Sequence, residues 1–370
     1  MVGLDIGTAK ICIAVGERWR DGRINLLGVS QAPAGGVREG DILDREAVVN
    51  CLREALADAE TQSDVMIRSV SVGVAGAQIQ SLNIPEVVFS REDHDSLAAE
   101  AIRVRNVSFP AGNDLLHCLE KRYQTGNRLR VLDRIGSPRP EVKADFHIIY
   151  GERPLLLQTV RCVKELPLEV EHVVFTPLAS AEVVLTQDQK NRDALVIDLG
   201  AGTTGYVLYK AGAPTHSGML AIGGDHITND LSMGLRIPMT LAEELKVKEG
   251  SVTLGKYPPE ETVSLGIGDG SEARQIKREL LNTIIHERVR GTLEALKKRL
   301  TDGNFTNRTG GCIFLTGGCS HLPGVCALAE EIFGIPARLA RVTEMVSGRE
   351  DDLKNPQYSC AIGLLKFWKS

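Results

Sequence analysis

The 370-residue chain is 43% hydrophobic and 25% charged, which is ordinary globular composition and argues against extended disorder. Its 43 Lys and Arg against 48 Asp and Glu give a net charge of −5, so a protein that holds nucleic acid by phosphate attraction is not expected. At roughly 150 residues per domain, the length predicts two or three domains. No apolar run approaches the roughly 18–20 residues that cross a bilayer, and the eight cysteines are expected to be reduced thiols.

The chain begins with two short apolar runs around a tight turn. Val2–Asp5 predicts a strand, residues 7–10 a turn, and Ile11–Val15 a returning strand. Further along, the sequence predicts a strand over Arg23–Val29, a helix capped by Asp44 and a buried strand over Val70–Val74.

The same pattern returns near the middle of the chain. Ala194–Asp198 is an apolar run that ends in Asp, residues 200–205 form a Gly-rich turn, and Tyr206–Tyr209 predicts the returning strand. Two related halves are the simplest explanation of this repeat.

The regions between and after these motifs differ from them in composition and in hydrophobic pattern. Gln78–Cys162 is charged and lacks a phosphate-type Gly loop, so we interpret it as an inserted small α+β subdomain. Ser271–Thr301 predicts one long helix, followed by a strand over Cys312–Leu315 and a helix over about 323–333 with Gly334 as its C-cap. The predicted apolar stripe of the long helix is Ile276, Leu280, Ile284, Val289, Leu293, Leu296 and Leu300.

A turn of the type Asp, apolar residue, Gly and small residue suits phosphate binding. Its glycines let the backbone turn tightly and expose successive N–H groups, which form a concave anion site. A carboxylate beside phosphates needs a cation between them, normally hydrated Mg²⁺. Two such turns that face each other would hold a nucleoside triphosphate from both sides, and a third Gly-Gly loop would leave room for sugar and base. The alternatives are that each turn is only a hairpin and that the Gly pair is a packing feature.

These motifs supply the predicted site. The ligand-binding residues are expected to be Gly7, Thr8, Ala9 and Lys10 in the first turn, Gly200, Gly202, Thr203 and Thr204 in the second, and Gly317, Gly318 and Ser320 in the third. Asp5 and Asp198 are the predicted catalytic carboxylates and would bind Mg²⁺ through water.

Three stretches resemble the actin/Hsp70/sugar-kinase superfamily. Val2–Lys10 and Ile197–Thr204 resemble its two phosphate motifs, and Phe314–Gly324 resembles its adenosine motif. The resemblance implies an α/β, actin-like ATPase fold, with two related halves around a nucleotide cleft and ATP with Mg²⁺ as cofactors.

A fourth stretch adds two residues to the expected site. Leu241–Lys248 resembles the helix that contacts adenine and ribose in bacterial actin homologues, which implies roles for Glu243 and Lys246. The alternative is a charged helix face that is only solvated.

The resemblance narrows to the FtsA family of bacterial cell-division proteins. Gly3–Ile11, Val15–Glu17, Gly36–Gly40 and Ser71–Gly76 follow that family in order and spacing. It implies self-association into filaments, a link from the FtsZ ring to the membrane and to other divisome proteins, and slow ATP hydrolysis. The expected location is cytoplasmic and peripheral, at the inner face of the inner membrane at the division site. The FtsZ-binding surface is expected in the subdomain that contains the Ser271–Thr301 helix.

The resemblance also implies a division into four subdomains. They are subdomain IA (residues 1–78, 163–190 and 353–370), the insert (79–162), subdomain IIA (191–225 and 303–352) and subdomain IIB (226–302).

Three departures from the family patterns qualify this interpretation. Thr176, before Pro177, stands where Hsp70 and bacterial actins carry a Glu that orients the attacking water, and a hydroxyl is not a base at neutral pH. The last residues, Leu365–Ser370, are too few for an interfacial helix, so membrane contact is expected only through a missing C-terminal helix or a partner. The loop Gly136–Pro140 differs from the family pattern.

Two other functions remain open. A pilus-assembly ATPase of the PilM type shares the fold and a related insert. A small-molecule kinase of the same superfamily is less favoured, because no acidic residue is placed by motif as a base.

Overall fold

The computed structural model describes residues 1–90, 110–125, 128–129, 141–265, 274–302 and 311–368. The loop Gly136–Pro140 noted in the sequence lies outside the described residues, as does the charged run of residues 91–95 within the predicted insert.

The first large sheet contains the N-terminal hairpin. In spatial order its strands are β11 (Glu169–Phe175), β6 (Ser69–Val74), β1 (Val2–Ile6), β2 (Lys10–Arg18), β3 (Ile24–Pro33) and β19 (Val346–Gly348). Strand β1 pairs antiparallel with β2, where Asp5 lies opposite Cys12, and parallel with β6, where Asp5 lies opposite Gly73.

The second large sheet repeats this arrangement. Its strands, in spatial order, are β14 (Ala213–Leu220), β13 (Thr204–Lys210), β12 (Ala194–Leu199), β17 (Cys312–Thr316) and β18 (Ala337–Leu339). Strand β12 pairs antiparallel with β13, where Asp198 lies opposite Gly205, and parallel with β17, where Asp198 lies opposite Thr316. Each half therefore has a hairpin with an Asp at the end of its first strand and a parallel strand beside it, which confirms the predicted internal repeat.

The inserted segment forms a separate antiparallel sheet. Its strands, in spatial order, are β7 (Gln80–Ser90), β10 (Glu141–Glu152), β8 (Asn113–Thr125) and β9 (Arg128–Leu129). This sheet packs on β14 of the second half, where Ser81 Oγ donates a hydrogen bond to the Ser217 carbonyl at 2.6 Å and Asn83 Nδ2 to the Thr215 carbonyl at 2.9 Å. Two small sheets pair β4 (Val37–Arg38) with β5 (Asp41–Ile42) and β15 (Thr262–Leu265) with β16 (Arg274–Lys277).

Helices cover the sheets and connect them. They are α1 (Arg45–Ser63), α2 (Arg153–Val163), α3 (Thr176–Val184), α4 (Gln187–Asn191), α5 (Gly224–Leu235), α6 (Met239–Glu249), α7 (Arg278–Asp302), α8 (Val325–Phe333), α9 (Glu350–Lys354) and α10 (Ser359–Leu364). The predicted caps are confirmed, because Asp44 accepts a hydrogen bond from the Ala47 amide and Gly334 ends α8 with a φ of 72°. None of the described helices is both long and apolar enough to span a membrane.

The predicted long helix starts later than expected. Residues 274–277 form strand β16, in which Ile276 pairs with Val263, and α7 begins at Arg278. The buried stripe of α7 also begins one position later, because Leu281 is fully buried whereas Leu280 is 48% exposed. Residues just before a helix can continue its apolar spacing by chance, and here the partner strand β15 decides their conformation.

Two short helices lie between the large sheets. Side chains of α3 and α10, among them Leu178, Ala181 and Ile362, share one core with residues from both sheets. The backbone contact is close, since a side chain added at Gly363 would meet the Ala179 carbonyl and one at Gly205 would meet Pro177. The halves are thus held together below the cleft that opens between them.

The chain returns to the first sheet before its last helix. Strand β19, at 346–348, pairs parallel with β3, so the expected boundary at residue 353 falls after this return. The boundaries of the four subdomains stay a prediction.

Candidate functional site

A cleft of about 410 Å³ separates the two halves. Most of the predicted site residues line it together, namely Asp5, Gly7, Thr8, Ala9, Lys10, Asp198, Gly200, Gly202, Thr203, Glu243, Lys246, Gly317 and Gly318. The other two turn elsewhere: Thr204 donates a hydrogen bond to the Ile222 carbonyl at 2.7 Å, and Ser320 donates to the Gly317 carbonyl at 2.6 Å.

The two hairpin turns are built alike. The Gly7 amide donates to the Lys10 carbonyl and the Gly200 amide donates to the Thr203 carbonyl, both at 2.9 Å. A Cβ at Gly7 or Gly200 would lie 2.9 Å from the same carbonyl oxygen, which is too close for a side chain. Each turn therefore requires glycine at its first position for a local steric reason.

The two turns meet across the cleft. A Cβ at Gly202 would clash with the Thr8 hydroxyl and would lie 2.8 Å from the Glu39 amide. The loop of the second half is thus packed directly on loops of the first half. Any group held by the amides of one turn lies within reach of the other turn.

Three charged groups lie at the base of the cleft. Burial and the neighbouring Asp5 raise the pKa of Asp198 to about 6, although a hydrogen bond from Ser180 Oγ at 2.9 Å opposes this. Burial likewise raises the pKa of Asp5 and lowers the pKa of Lys10. Two neighbouring buried carboxylates make each other's ionisation less favourable because their negative charges repel, and a bound cation would reduce this repulsion.

Lys10 is already oriented toward the cleft. Its ammonium donates to the Gln357 carbonyl at 3.0 Å and lies 5.0 Å from the centre of the Tyr358 ring. These contacts come from the segment just before α10, which the sequence did not indicate as part of the site.

The donor set fits magnesium better than a transition metal. In the part of the chain that the structure describes, no group of three or more His, Cys, Asp or Glu side chains could hold a metal ion. Two carboxylates alone suit a hydrated Mg²⁺ that takes its other ligands from phosphate and water.

The third loop follows β17 on the second half. Gly317 has a φ of 83°, and a side chain there would clash with Asp198 and would lie 2.6 Å from the Leu199 carbonyl. A Cβ at Gly318 would meet no atom within 4 Å, so this position leaves open space. Ser320 closes the loop on itself and does not face the cleft.

The charged helix α6 has two different faces. Lys246 is only 5% exposed, and it donates to Glu243 at 2.6 Å and to Thr228 Oγ1 at 2.9 Å. Glu244 and Lys248 pair at 3.2 Å with both side chains mostly exposed. The solvated-face alternative fails for Lys246, which is a buried lysine in the cleft wall, whereas Glu243 lines the cleft with a side chain that is 48% exposed.

Thr176 lies where the sequence comparison with Hsp70 placed the missing carboxylate. It opens α3, is 8% exposed and lines the cleft, with Pro177 following it. The cleft thus presents a hydroxyl, not a carboxylate, at the start of this helix.

Sequence reasoning missed part of the cleft wall. The missed residues include Gly40, Val247, Gly250, Leu322, Pro323 and Cys360. Four of them lie inside stretches that resemble family motifs but were not singled out, whereas Gly250 and Cys360 lie outside every such stretch and reach the cleft because distant segments pack together there.

Two sheets with the same Asp-Gly hairpin, joined below one cleft, define an actin-like fold. Among solved structures, the chain is similar to one described as the PilM–PilN type IV pilus biogenesis complex, with a TM-score of 0.72 and 16% identity, covering 98% of this chain and 96% of that one. It is also similar to MreB5 of Spiroplasma citri bound to ADP, with a TM-score of 0.58 and 15% identity, covering 99% of this chain and 95% of that one. Both confirm the predicted actin-like fold.

Sequence comparison identifies one protein family among those with the actin-like fold. The family model described as "Cell division protein FtsA" matches residues 195–363. The cell division protein FtsA of Pseudomonas aeruginosa is 32% identical over 372 aligned residues, covering 99% of this chain and 88% of that protein. The chain belongs to the FtsA family of cell-division proteins.

Proposed function

We propose that the cleft binds ATP with Mg²⁺ between the two halves. The observation that carries this proposal is the pair of similarly built turns, each with an Asp at the end of its first strand, in contact through Gly202 and Thr8. The turn amides and Lys10 would hold the phosphates. Asp5 and Asp198 would bind the hydrated ion, which would neutralise phosphate charge.

The adenosine would lie toward the third loop. The open space at Gly318 admits a sugar or base, and Glu243 and Lys246 provide polar groups in the same cleft. Lys246 is held by three partners already, so it offers a fixed position and not a mobile charge.

We expect slow ATP hydrolysis. Asp198 could orient a water molecule, but the start of α3 supplies Thr176, which cannot accept a proton at neutral pH. A bound nucleotide would then persist long enough to act mainly as a bridge between the halves.

At the level of the cell, the family supports an adaptor role in division. We propose that the ATP-bound chain self-associates head to tail, because a contact between unlike faces propagates as a filament unless it closes. We further propose that it links the FtsZ ring to the division machinery at the membrane. The proposed FtsZ surface is on the subdomain of α7, where Met233 of α5 and Leu280 of α7 are exposed apolar side chains.

Calorimetric titration with MgATP, combined with electron microscopy of the same samples, tests the site and the assembly together. We expect wild type to bind and to form filaments, and Asp198→Asn to lose both. Asp188→Asn, an exposed carboxylate on α4, is the matched control and should behave as wild type. Equal affinity in wild type and Asp198→Asn would contradict the proposed site.

Co-sedimentation with FtsZ polymers tests the adaptor role. We expect the chain to pellet with FtsZ and Leu280→Glu to pellet less, with the exposed Leu43→Glu in the first half as control. No co-sedimentation by the wild type would remove the adaptor proposal while leaving the nucleotide site intact.

A further inference from the structure

Beyond α6, the cleft wall is formed by a short segment that contains no recognised motif. Residues 250–253, here called the wall segment, follow the C-terminus of α6. Gly250 lines the cleft beside Val247, whereas Ser251 and Val252 are each 2% exposed. The position of the wall segment therefore depends on the residues that pack against it on the side away from the cleft.

On one side the wall segment is bound to the third loop. The Val252 amide donates to the Pro323 carbonyl at 3.0 Å, and Ser251 Oγ donates to the same carbonyl at 3.2 Å. Gly324 has a φ of 88°, and a side chain there would clash with Thr253 Oγ1. Because Leu322 and Pro323 also line the cleft, the wall segment and the third loop form one continuous surface there.

On the other side the wall segment is bound to α7. Asn282 Oδ1 accepts a hydrogen bond from the Ser251 amide at 3.2 Å, and Asn282 is fully buried. His286, one helical turn further along, binds the Val252 carbonyl through Nδ1 at 2.7 Å. Both main-chain bonds act on consecutive residues of a segment that has no regular structure of its own.

The tautomer of His286 follows from its second contact. Arg290 Nε donates to His286 Nε2 at 3.1 Å, so that nitrogen is an acceptor and the proton resides on Nδ1. Nδ1 is then the donor to the Val252 carbonyl. Arg290 is itself held by Glu331 of α8 at 2.7 Å, which fixes the imidazole from behind.

We propose that Asn282 and His286 are positioning residues for the nucleoside end of the cleft. They hold the wall segment against Pro323 and so keep the surface that faces the base and sugar in place before a ligand arrives. Neither side chain lines the cleft, so their effect acts through residues 250–253 and 322–323. This inference rests on the proposed ATP site. It assigns to α7 two residues on which recognition of the nucleoside part of the ligand depends.

The inference predicts that substitutions at Asn282 and His286 change the affinity for one ligand and not for another. Tripolyphosphate occupies only the phosphate turns, whereas ATP also needs the wall segment. We expect Asn282→Ala and His286→Leu each to weaken MgATP binding about five- to tenfold, as the loss of one buried hydrogen bond implies. Magnesium tripolyphosphate should bind with unchanged affinity, measured by competition against a fluorescent ATP analogue.

Controls separate positioning from general damage. Thr283→Val changes the neighbouring side chain on α7, whose hydroxyl bonds only to the Glu279 carbonyl of its own helix, and should leave both affinities unchanged. His286→Asn keeps an N–H donor near the Nδ1 position and should restore ATP affinity relative to His286→Leu. Hydrogen exchange of the Ser251 and Val252 amides should be faster in Asn282→Ala and His286→Leu than in wild type without any ligand.

Four outcomes decide the matter. Variants that bind MgATP as wild type does would overturn the inference, as would equal weakening of ATP and tripolyphosphate. A wild type that binds neither ligand would refute the proposed nucleotide site, and the exchange rates at 251–252 would still test the positioning role. Unchanged exchange in Asn282→Ala and His286→Leu would overturn that role by itself.

Discussion

At the scale of single residues, the chemistry of the cleft depends on which group stands at each fixed position. The two turns fix Gly7 and Gly200 by sterics, and the strands that precede them place Asp5 and Asp198 at the base of the cleft. Thr176 occupies an equally defined place at the start of α3, but its hydroxyl has no basic lone pair of useful strength. If the cleft binds a triphosphate as proposed, Thr176 favours holding it over cleaving it.

Thr176→Glu tests this directly. A carboxylate at the start of α3 could accept a proton from water, so we expect ATP turnover to rise by at least tenfold. Thr176→Val, which has nearly the same shape without the hydroxyl, should hydrolyse ATP at the wild-type rate. Single-turnover hydrolysis measures both, and a large loss of rate in the Val variant would show that the hydroxyl takes part.

Two histidines, one partly and one fully buried, hold the insert against the rest of the molecule. Burial lowers the pKa of His117 to about 4 and that of His147 to about 3. His117 Nε2 accepts a hydrogen bond from the Phe175 amide at 3.0 Å, and His147 Nε2 lies 2.8 Å from Ser217 Oγ. One histidine thus connects the insert to the first half and the other to the second half.

These pKa values predict acid lability. The neutral form is favoured in the folded state, so its stabilising contribution is complete above the unfolded pKa near 6.5 and is lost as the pH falls from there toward 4 and 3. We expect each histidine to cost about 2 kcal/mol of unfolding free energy between pH 7.5 and 5. Urea denaturation across this range measures it, and the double variant His117→Gln/His147→Gln should show a shallower pH dependence. An identical slope in both proteins would contradict the assignment.

At the scale of elements, α7 combines a buried stripe, an exposed face and the contacts to the wall segment. Its length of 25 residues is stabilised by packing of Leu281, Ile285 and Leu293, which are fully buried. Gly291, in the middle of the exposed face, lowers the stability of the helix, because glycine inside a helix is about 1 kcal/mol less favourable than alanine.

Gly291→Ala is expected to stabilise the protein by about 0.5–1 kcal/mol, since an added Cβ would meet no atom within 4 Å. The urea midpoint should rise accordingly. Gly234→Ala on α5 is the contrasting variant, because its Cβ would lie 3.0 Å from Ile284 Cδ1 and part of the gain would be lost. If both substitutions raise the urea midpoint equally, the Ile284 side chain moves aside without lowering the stability of the protein.

At the scale of the whole molecule, α3 and α10 join the halves below the cleft, the insert packs on β14, and short loops of the two halves meet above the cleft. The contact of Gly202 with Thr8 and Glu39 belongs to this upper set. A ligand in the cleft would add contacts to both halves at once. Nucleotide binding is therefore expected to change the stability of the molecule as a unit.

Excess MgATP should raise the unfolding temperature, because a ligand that binds only the folded state at 100 times its Kd adds about 2.7 kcal/mol. Chelation of magnesium with EDTA should remove most of this shift. Asp5→Asn should show little or no shift, and Asp58→Asn, an exposed carboxylate on α1, should respond as wild type. A full shift in Asp5→Asn would exclude that carboxylate from the ion site.

The sequence by itself determined the two hairpins, the repeat and the residues of the two turns that line the cleft, because the sterics that demand Gly7 and Gly200 act within four residues of chain. It could not determine that Lys246 is buried while Lys248 is exposed, that α7 begins at Arg278, or that Gly250 of the wall segment lines the cleft. Only the tertiary structure decided these, since burial and the conformation of irregular segments depend on neighbours that are distant in sequence. Asn282 and His286 became interpretable for the same reason: the bonds that give them a role cross more than thirty residues of chain.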